Sequence, residues 1–105
     1  MVKQVDDFDE FKALIGGDKY VIIDFTASWC PPCKKIGPYF VGLEDGTQNV
    51  IMIKVDVDVN GKASEQAGIS CMPTFQVWKG GEKVEEFSGA SEEKLKALVD
   101  KYEAM

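Results

Sequence analysis

The sequence predicts an α/β protein with a central five-stranded mixed sheet flanked by four helices, and three observations carry that expectation. Residues 20–26 (YVIIDFT) and 50–57 (VIMIKVDV) are apolar, β-branched runs of the kind found in strands buried on both faces. Stretches with apolar residues at helical spacing separate them, the alternation expected of parallel strands joined by crossover helices. Gly80-Gly81 stands between two further strand-like segments and can supply the positive φ angles of a tight hairpin, so the last pair is expected to be antiparallel. Crossovers between parallel strands cover the sheet, which puts helices on both of its faces.

Taken in order, a first strand is expected around residues 3–5. Phe8, Phe11, Leu14 and Ile15 recur at helical spacing behind Asp6 and Asp7, either of which can cap the helix start, and Gly16-Gly17 stops it. The strand at 20–26 is interrupted only by Asp24. Over 33–43, Ile36, Tyr39, Phe40 and Leu43 keep helical spacing with Pro38 inside the pattern, which predicts a kinked helix. Asp45-Gly46 opens a turn into the strand at 50–57. Residues 60–68 carry a weaker helical pattern, with Gly61 near its start and only Ala63 and Ala67 as small apolar residues on one face. Segments 74–78 and 83–87 form the two arms of the hairpin. Ser91 caps a last helix, with Glu92 and Glu93 in its first turn and Leu95, Leu98, Val99 and Tyr102 as its apolar stripe.

The chain has 105 residues, 45% of them hydrophobic, and its 12 Lys plus Arg against 18 Asp plus Glu give a formal charge of −6. That length suits one domain, 1–105, which can bury somewhat over roughly 60% of its unfolded surface and so build a core without disulfide or metal staples. The acidic balance, with no basic block, excludes a nucleic-acid binder and a protein held on anionic lipid. There is no histidine, which removes Ser-His and Cys-His mechanisms and the usual zinc and haem ligands, and leaves chemistry to Cys, Asp, Glu, Lys or Tyr. Residues 1–7 (MVKQVDD) read as neither a secretory nor a transit leader, and no apolar stretch approaches the ~18–20 residues of a membrane span. A cytoplasmic protein is expected. Three cysteines, an odd number, argue against a secreted disulfide framework and in favour of reactive thiols.

The strongest local feature is Trp29-Cys30-Pro31-Pro32-Cys33, at the junction of an expected strand and an expected helix. A thiolate at a helix N-terminus is stabilised by unpaired backbone N–H groups and by the positive end of the helix dipole, which lowers its pKa. With Cys30 at the N-cap, Pro31 and Pro32 contribute no N–H, and the Cys33 N–H is the main donor left for the Cys30 sulfur. Cys33, one turn on and closer to the interior, is suitably placed to form a disulfide with Cys30. Two cysteines at this spacing are also half of a zinc site, but zinc takes four ligands and the chain adds only Cys71. Inert core thiols are a further reading, against which stand two adjacent prolines that favour an exposed turn. A redox dithiol is the expectation.

Beyond this motif, the chain resembles the thioredoxin family over essentially its whole length. VIIDFTASWCPPCK, the Pro38 position, IKVDVD, GISCMPTF, the KGG hairpin and FSGAS all fall in the family's order and spacing. The resemblance implies a thioredoxin fold and a protein disulfide reductase whose only redox group is the Cys30–Cys33 disulfide. It implies no bound cofactor, disulfide-containing proteins as substrates, and recharging by a flavin-dependent thioredoxin reductase that uses NADPH. Lys79-Gly80-Gly81-Glu82-Lys83 reads as a hairpin turn and not as a nucleotide loop, which leaves nucleotide and flavin to that partner. In the implied mechanism the Cys30 thiolate attacks a substrate disulfide, and Cys33 resolves the mixed disulfide.

The same resemblance carries over to other positions. Asp24, a carboxylate costly to ionise inside its apolar run, matches the buried acid assigned in the family as the base for Cys33; otherwise it is an Asp that hydrogen-bonds backbone. Lys54 matches a buried lysine that pairs with that acid; otherwise it snorkels along the sheet face. Pro73 matches a cis-proline that exposes the Met72 backbone for strand-like pairing with substrate; otherwise it is an ordinary trans turn proline. Trp29, Pro32, Val57, Met72 and Gly89 match the apolar rim of the substrate groove, and Asp58 matches an acid that orients the Trp29 indole. Pro31, also beside that groove, replaces the family's usual glycine and is expected to shift the redox potential. Cys71 is a candidate for an intermolecular disulfide or a regulatory modification in a chain expected to be mainly monomeric; otherwise it is a small thiol with no role. Two other functions share this fold: a disulfide oxidase or isomerase, and a non-catalytic binding module that would not need both cysteines.

Overall fold

Val21–Thr26 is the most deeply buried strand, with every residue but Thr26 inside, and it takes the centre of the sheet. The computed structural model describes residues 2–105. Its elements run β1 (Lys3–Gln4), α1 (Phe8–Ile15), β2 (Val21–Thr26), α2 (Pro31–Leu43), a 3-10 turn (Glu44–Gly46), β3 (Ile51–Asp56), α3 (Gly61–Ala67), β4 (Thr74–Lys79), β5 (Glu82–Ser88) and α4 (Glu92–Glu103). The strand order is β1-β3-β2-β4-β5, with β1, β3 and β2 parallel and β4 and β5 antiparallel to their neighbours. This is the expected five-stranded mixed sheet with four helices.

Alternation along β2 and β3 sorts side chains between two cores. Val21, Ile23 and Phe25, with Ile53 and Val55, pack against Phe11 and Ile15 of α1 and Ala63 and Ala67 of α3. Ile22 and Met52, with Phe75 and Val77, pack against Ile36 and Phe40 of α2 and Leu95, Leu98, Val99 and Tyr102 of α4. Asp24 shares the second face with Ile22, beneath α2, so the strand's period of two delivers a carboxylate to an otherwise apolar layer.

Helix ends follow their capping residues. Asp7, Asn60 and Ser91 each accept a backbone N–H three residues on, at the starts of α1, α3 and α4. The short α3 holds despite few apolar residues, because Asn60 caps its start, Gly68 ends it in the left-handed region at φ +71°, and its two alanines lie against the sheet. Pro38 stands inside α2 without ending it. At the hairpin, Gly80 and Gly81 take φ of +62° and +81° as a two-residue turn of this hand requires, and their N–H groups donate to the carbonyls of Gly17 and Ile15. Tyr102 of α4 donates its hydroxyl to Glu85 of β5 at 2.6 Å and ties the last helix to the sheet edge.

Candidate active site

The parallel strands β2 and β3 end side by side, with Thr26 in register with Asp56, and the segments that leave them build the site. Beyond β2, Cys30 is the N-cap of α2, with extended backbone (φ −101°, ψ 104°), and Pro31 and Pro32 occupy the first two helical positions. The Cys33 N–H donates to Cys30 Sγ at 3.3 Å. A disulfide joins Cys30 and Cys33, whose Cα atoms are 5.3 Å apart. Trp29 is 63% exposed and both prolines are exposed, whereas Cys30 and Cys33 are only 5% and 1% exposed. Ala27, Val57 and Met72 pack against the two cysteines.

The rim is held by hydrogen bonds. Trp29 Nε1 donates to Asp58 Oδ2 at 2.7 Å, pinning an exposed indole that packing alone would leave free. The Met72–Pro73 peptide bond is cis, and Pro73 is buried. Its carbonyl accepts the N–H of Gly89, which sits at φ +105°, a conformation that favours glycine. Thr74 Oγ1 donates to the carbonyl of Cys71 at 2.6 Å, while Met72 makes no backbone hydrogen bond among the described residues. The N–H and C=O of half-buried Met72 are thus left without an intramolecular backbone partner among the described residues. Cys71 itself is exposed and is the one free thiol.

Behind the dithiol, Asp24 is 2% exposed, and its Oδ1 has no hydrogen-bond partner among the described residues. Burial pushes its pKa from 3.8 up to about 7, against a smaller lowering by the charge of Lys54. Asp24 and Cys33 line one cavity of about 540 Å³, together with Lys54, Asp56, Lys34 and Gly37. A group that ionises near neutrality thus faces the same space as the inner thiol. Lys54 departs from the buried, paired lysine that the resemblance implied. It is the register partner of Asp24 on β3, but it is half-buried, and no hydrogen bond or ion pair joins the two. It lines the same cavity as Asp24 and acts on it through space by its charge.

The thioredoxin family model matches residues 2–101. This chain belongs to the thioredoxin family. Thioredoxins are thiol–disulfide oxidoreductases, and Cys30–Cys33 is the redox-active disulfide of this one, an arrangement suited to disulfide reduction. The curated thioredoxins of Callithrix jacchus and Homo sapiens are both 46% identical to it, over 97% and 95% of this chain and 99% and 97% of theirs. Among solved structures, the Malassezia sympodialis thioredoxin superposes with a TM-score of 0.94 at 42% identity, covering 98% of this chain and 91% of that one. The Plasmodium falciparum thioredoxin does so with 0.92 at 40%, covering 96% and 99%.

Sequence reading passes over two local hydrogen-bonding residues of this thioredoxin, Thr74 and Asp56, whose carboxylate accepts the N–H groups of Asp58 and Val59. The signal for Asp56 is present as Asp-x-Asp at a strand end, where an Asp side chain commonly turns back onto nearby N–H groups. The double proline also has a measurable consequence. Pro32→Ala restores an N–H at the second helical position, the other usual donor to an N-cap. One added charge-assisted hydrogen bond should lower the Cys30 thiol pKa by about one unit. The reduced form gains accordingly, and the potential becomes more oxidising by up to about 30 mV. Thiolate absorbance against pH and equilibration with a redox buffer test both shifts; coincident values for parent and variant would refute them.

Proposed function

We propose that this thioredoxin reduces disulfides of protein substrates and is recharged by a thioredoxin reductase drawing on NADPH, in the cytoplasm. The Cys30 thiolate attacks one sulfur of a substrate disulfide, forming a Cys30–substrate bond and releasing the other substrate sulfur as a thiolate. Cys33 gives its proton to the Asp24 carboxylate, and its thiolate attacks Cys30 Sγ. The second substrate thiolate leaves, and two electrons have passed from the dithiol to the substrate. The observation that carries this reading is the Cys30 sulfur at the N-cap of α2, disulfide-bonded to Cys33 beside the open backbone of Met72. Substrate then lies along Met72 and cis-Pro73, with Trp29, Pro31, Pro32, Val57 and Gly89 as its rim. The chain acts mainly as a monomer, with Cys71 open to an intermolecular disulfide. The test couples reduction of a disulfide-bonded protein to NADPH oxidation by thioredoxin reductase. Catalytic NADPH consumption above that of reductase alone is expected; binding of the disulfide protein without such consumption would leave only a binding module.

A further inference from the structure

We propose that Asp56 is a positioning residue for protein substrates: its carboxylate fixes the turn that carries Asp58, and through Asp58 it sets the orientation of the Trp29 indole. The inference rests on the reading above that Trp29 borders the substrate site. Asp56 Oδ1 accepts the N–H of Asp58 at 2.9 Å and that of Val59 at 3.3 Å. Its carbonyl accepts from Val59 and Asn60, and the N–H of the intervening Val57 donates to Thr26 at the end of β2. Asn60 anchors the far end of the turn, donating its amide to the Val5 carbonyl while accepting the Ala63 N–H. Apart from the Trp29 indole N–H on its side chain, Asp58 is held through its turn, and the Asp56 carboxylate supplies the hydrogen bond that grips the Asp58 backbone.

The indole needs that grip. It is largely exposed, so its rotamer is held chiefly by the 2.7 Å bond to Asp58 Oδ2. A loosened turn would let Asp58 and Trp29 part, and the indole would lose its fixed place before a substrate arrives. Ordering it again on binding costs affinity. Asp56 also lines the cavity that Asp24 shares with Cys33, so removing its charge acts on turnover of every substrate alike, whereas the loss of a fixed indole falls on substrates large enough to press on it.

The experiment compares Asp56→Ala and Asp56→Asn in the parent and in a Trp29→Phe background, which has no indole N–H. Each is assayed with a disulfide-bonded protein and with a low-mass aromatic disulfide. Asp56→Ala is expected to raise KM for the protein about three- to tenfold, the scale of ordering one side chain on binding. Its KM for the small disulfide should stay within about twofold, and any change in kcat from the lost cavity charge should be the same for both substrates, a split that loss of fold would not give. Asp56→Asn keeps an acceptor oxygen and should recover most of the loss, and the Trp29 indole N–H should exchange with solvent faster in Asp56→Ala than in Asp56→Asn. On Trp29→Phe, Asp56→Ala should add nothing to the KM for the protein. An unchanged KM in Asp56→Ala alongside a raised KM in Trp29→Phe overturns this inference and leaves the groove standing, as does an equal rise in KM for both substrates. An unchanged KM in Trp29→Phe itself overturns the groove reading and the inference with it.

Discussion

Cys30→Ser should reduce turnover in the reductase-coupled assay to background, because a serine hydroxyl cannot form the Cys30–substrate disulfide on which the reaction depends. Cys33→Ser should fail differently. Its Cys30 can still attack, but nothing remains to break the resulting bond, so the enzyme should accumulate as a stable adduct with its substrate, visible by mass spectrometry and released by external dithiol. Both variants score zero in turnover, and the adduct separates them. The geometry supports the proposed order of events. Cys30 Sγ holds the cap position and the Cys33 N–H, whereas Cys33 lies deeper and faces the cavity that Asp24 shares. Turnover surviving in Cys30→Ser would end the reductase reading, and adduct formation by Cys30→Ser in place of Cys33→Ser would reverse the two roles.

Asp24→Asn should make the protein more stable at alkaline pH while slowing it. The carboxyl titrates at about 7 in the folded chain against 3.8 for an ordinary aspartate, so between those values the folded state holds a proton that the unfolded state has lost. Stability contributed by this group is then fully present below about pH 4, falls as pH rises, and reaches its minimum above about 7. The difference of roughly three pKa units corresponds to about 4 kcal/mol. Asn carries no charge at any pH, so parent and variant should unfold alike near pH 4, and the variant should gain about that amount by pH 8. Urea unfolding across this range tests it; a gain independent of pH would place the effect in packing and not in ionisation. Loss of the base should slow resolution of the mixed disulfide about 10²-fold at neutral pH, and the rise in parental rate through pH 7 should disappear.

Much of this molecule can be read from its residues, for identifiable reasons. Asp7 and Ser91 announce their helices because capping is a local hydrogen bond, and Gly80-Gly81 announces the hairpin because few other residues adopt that turn. Cys30 as an N-cap follows from the two prolines behind it. Features that depend on a distant partner are harder to read. The two-residue β1 is limited by its pairing with β3, which its own sequence does not encode. The side of the sheet on which Lys54 sits follows from its register with Asp24, but the reach of its flexible stem does not. Asp56 looks like an ordinary surface acid until the turn it closes is traced to Asp58 and then across to Trp29.

Cys33 has neighbours of two kinds. The cavity it shares with Asp24 is bounded by Gln4, Lys34, Val41 and Lys54, while Trp29, Pro32, Met72, Pro73 and Gly89 line none of it. Under the proposed mechanism, then, traffic of protons and docking of proteins would use separate openings. A client of any size can seat itself on the rim without stoppering the outlet behind it, which is the arrangement a carrier needs when its clients have no common shape.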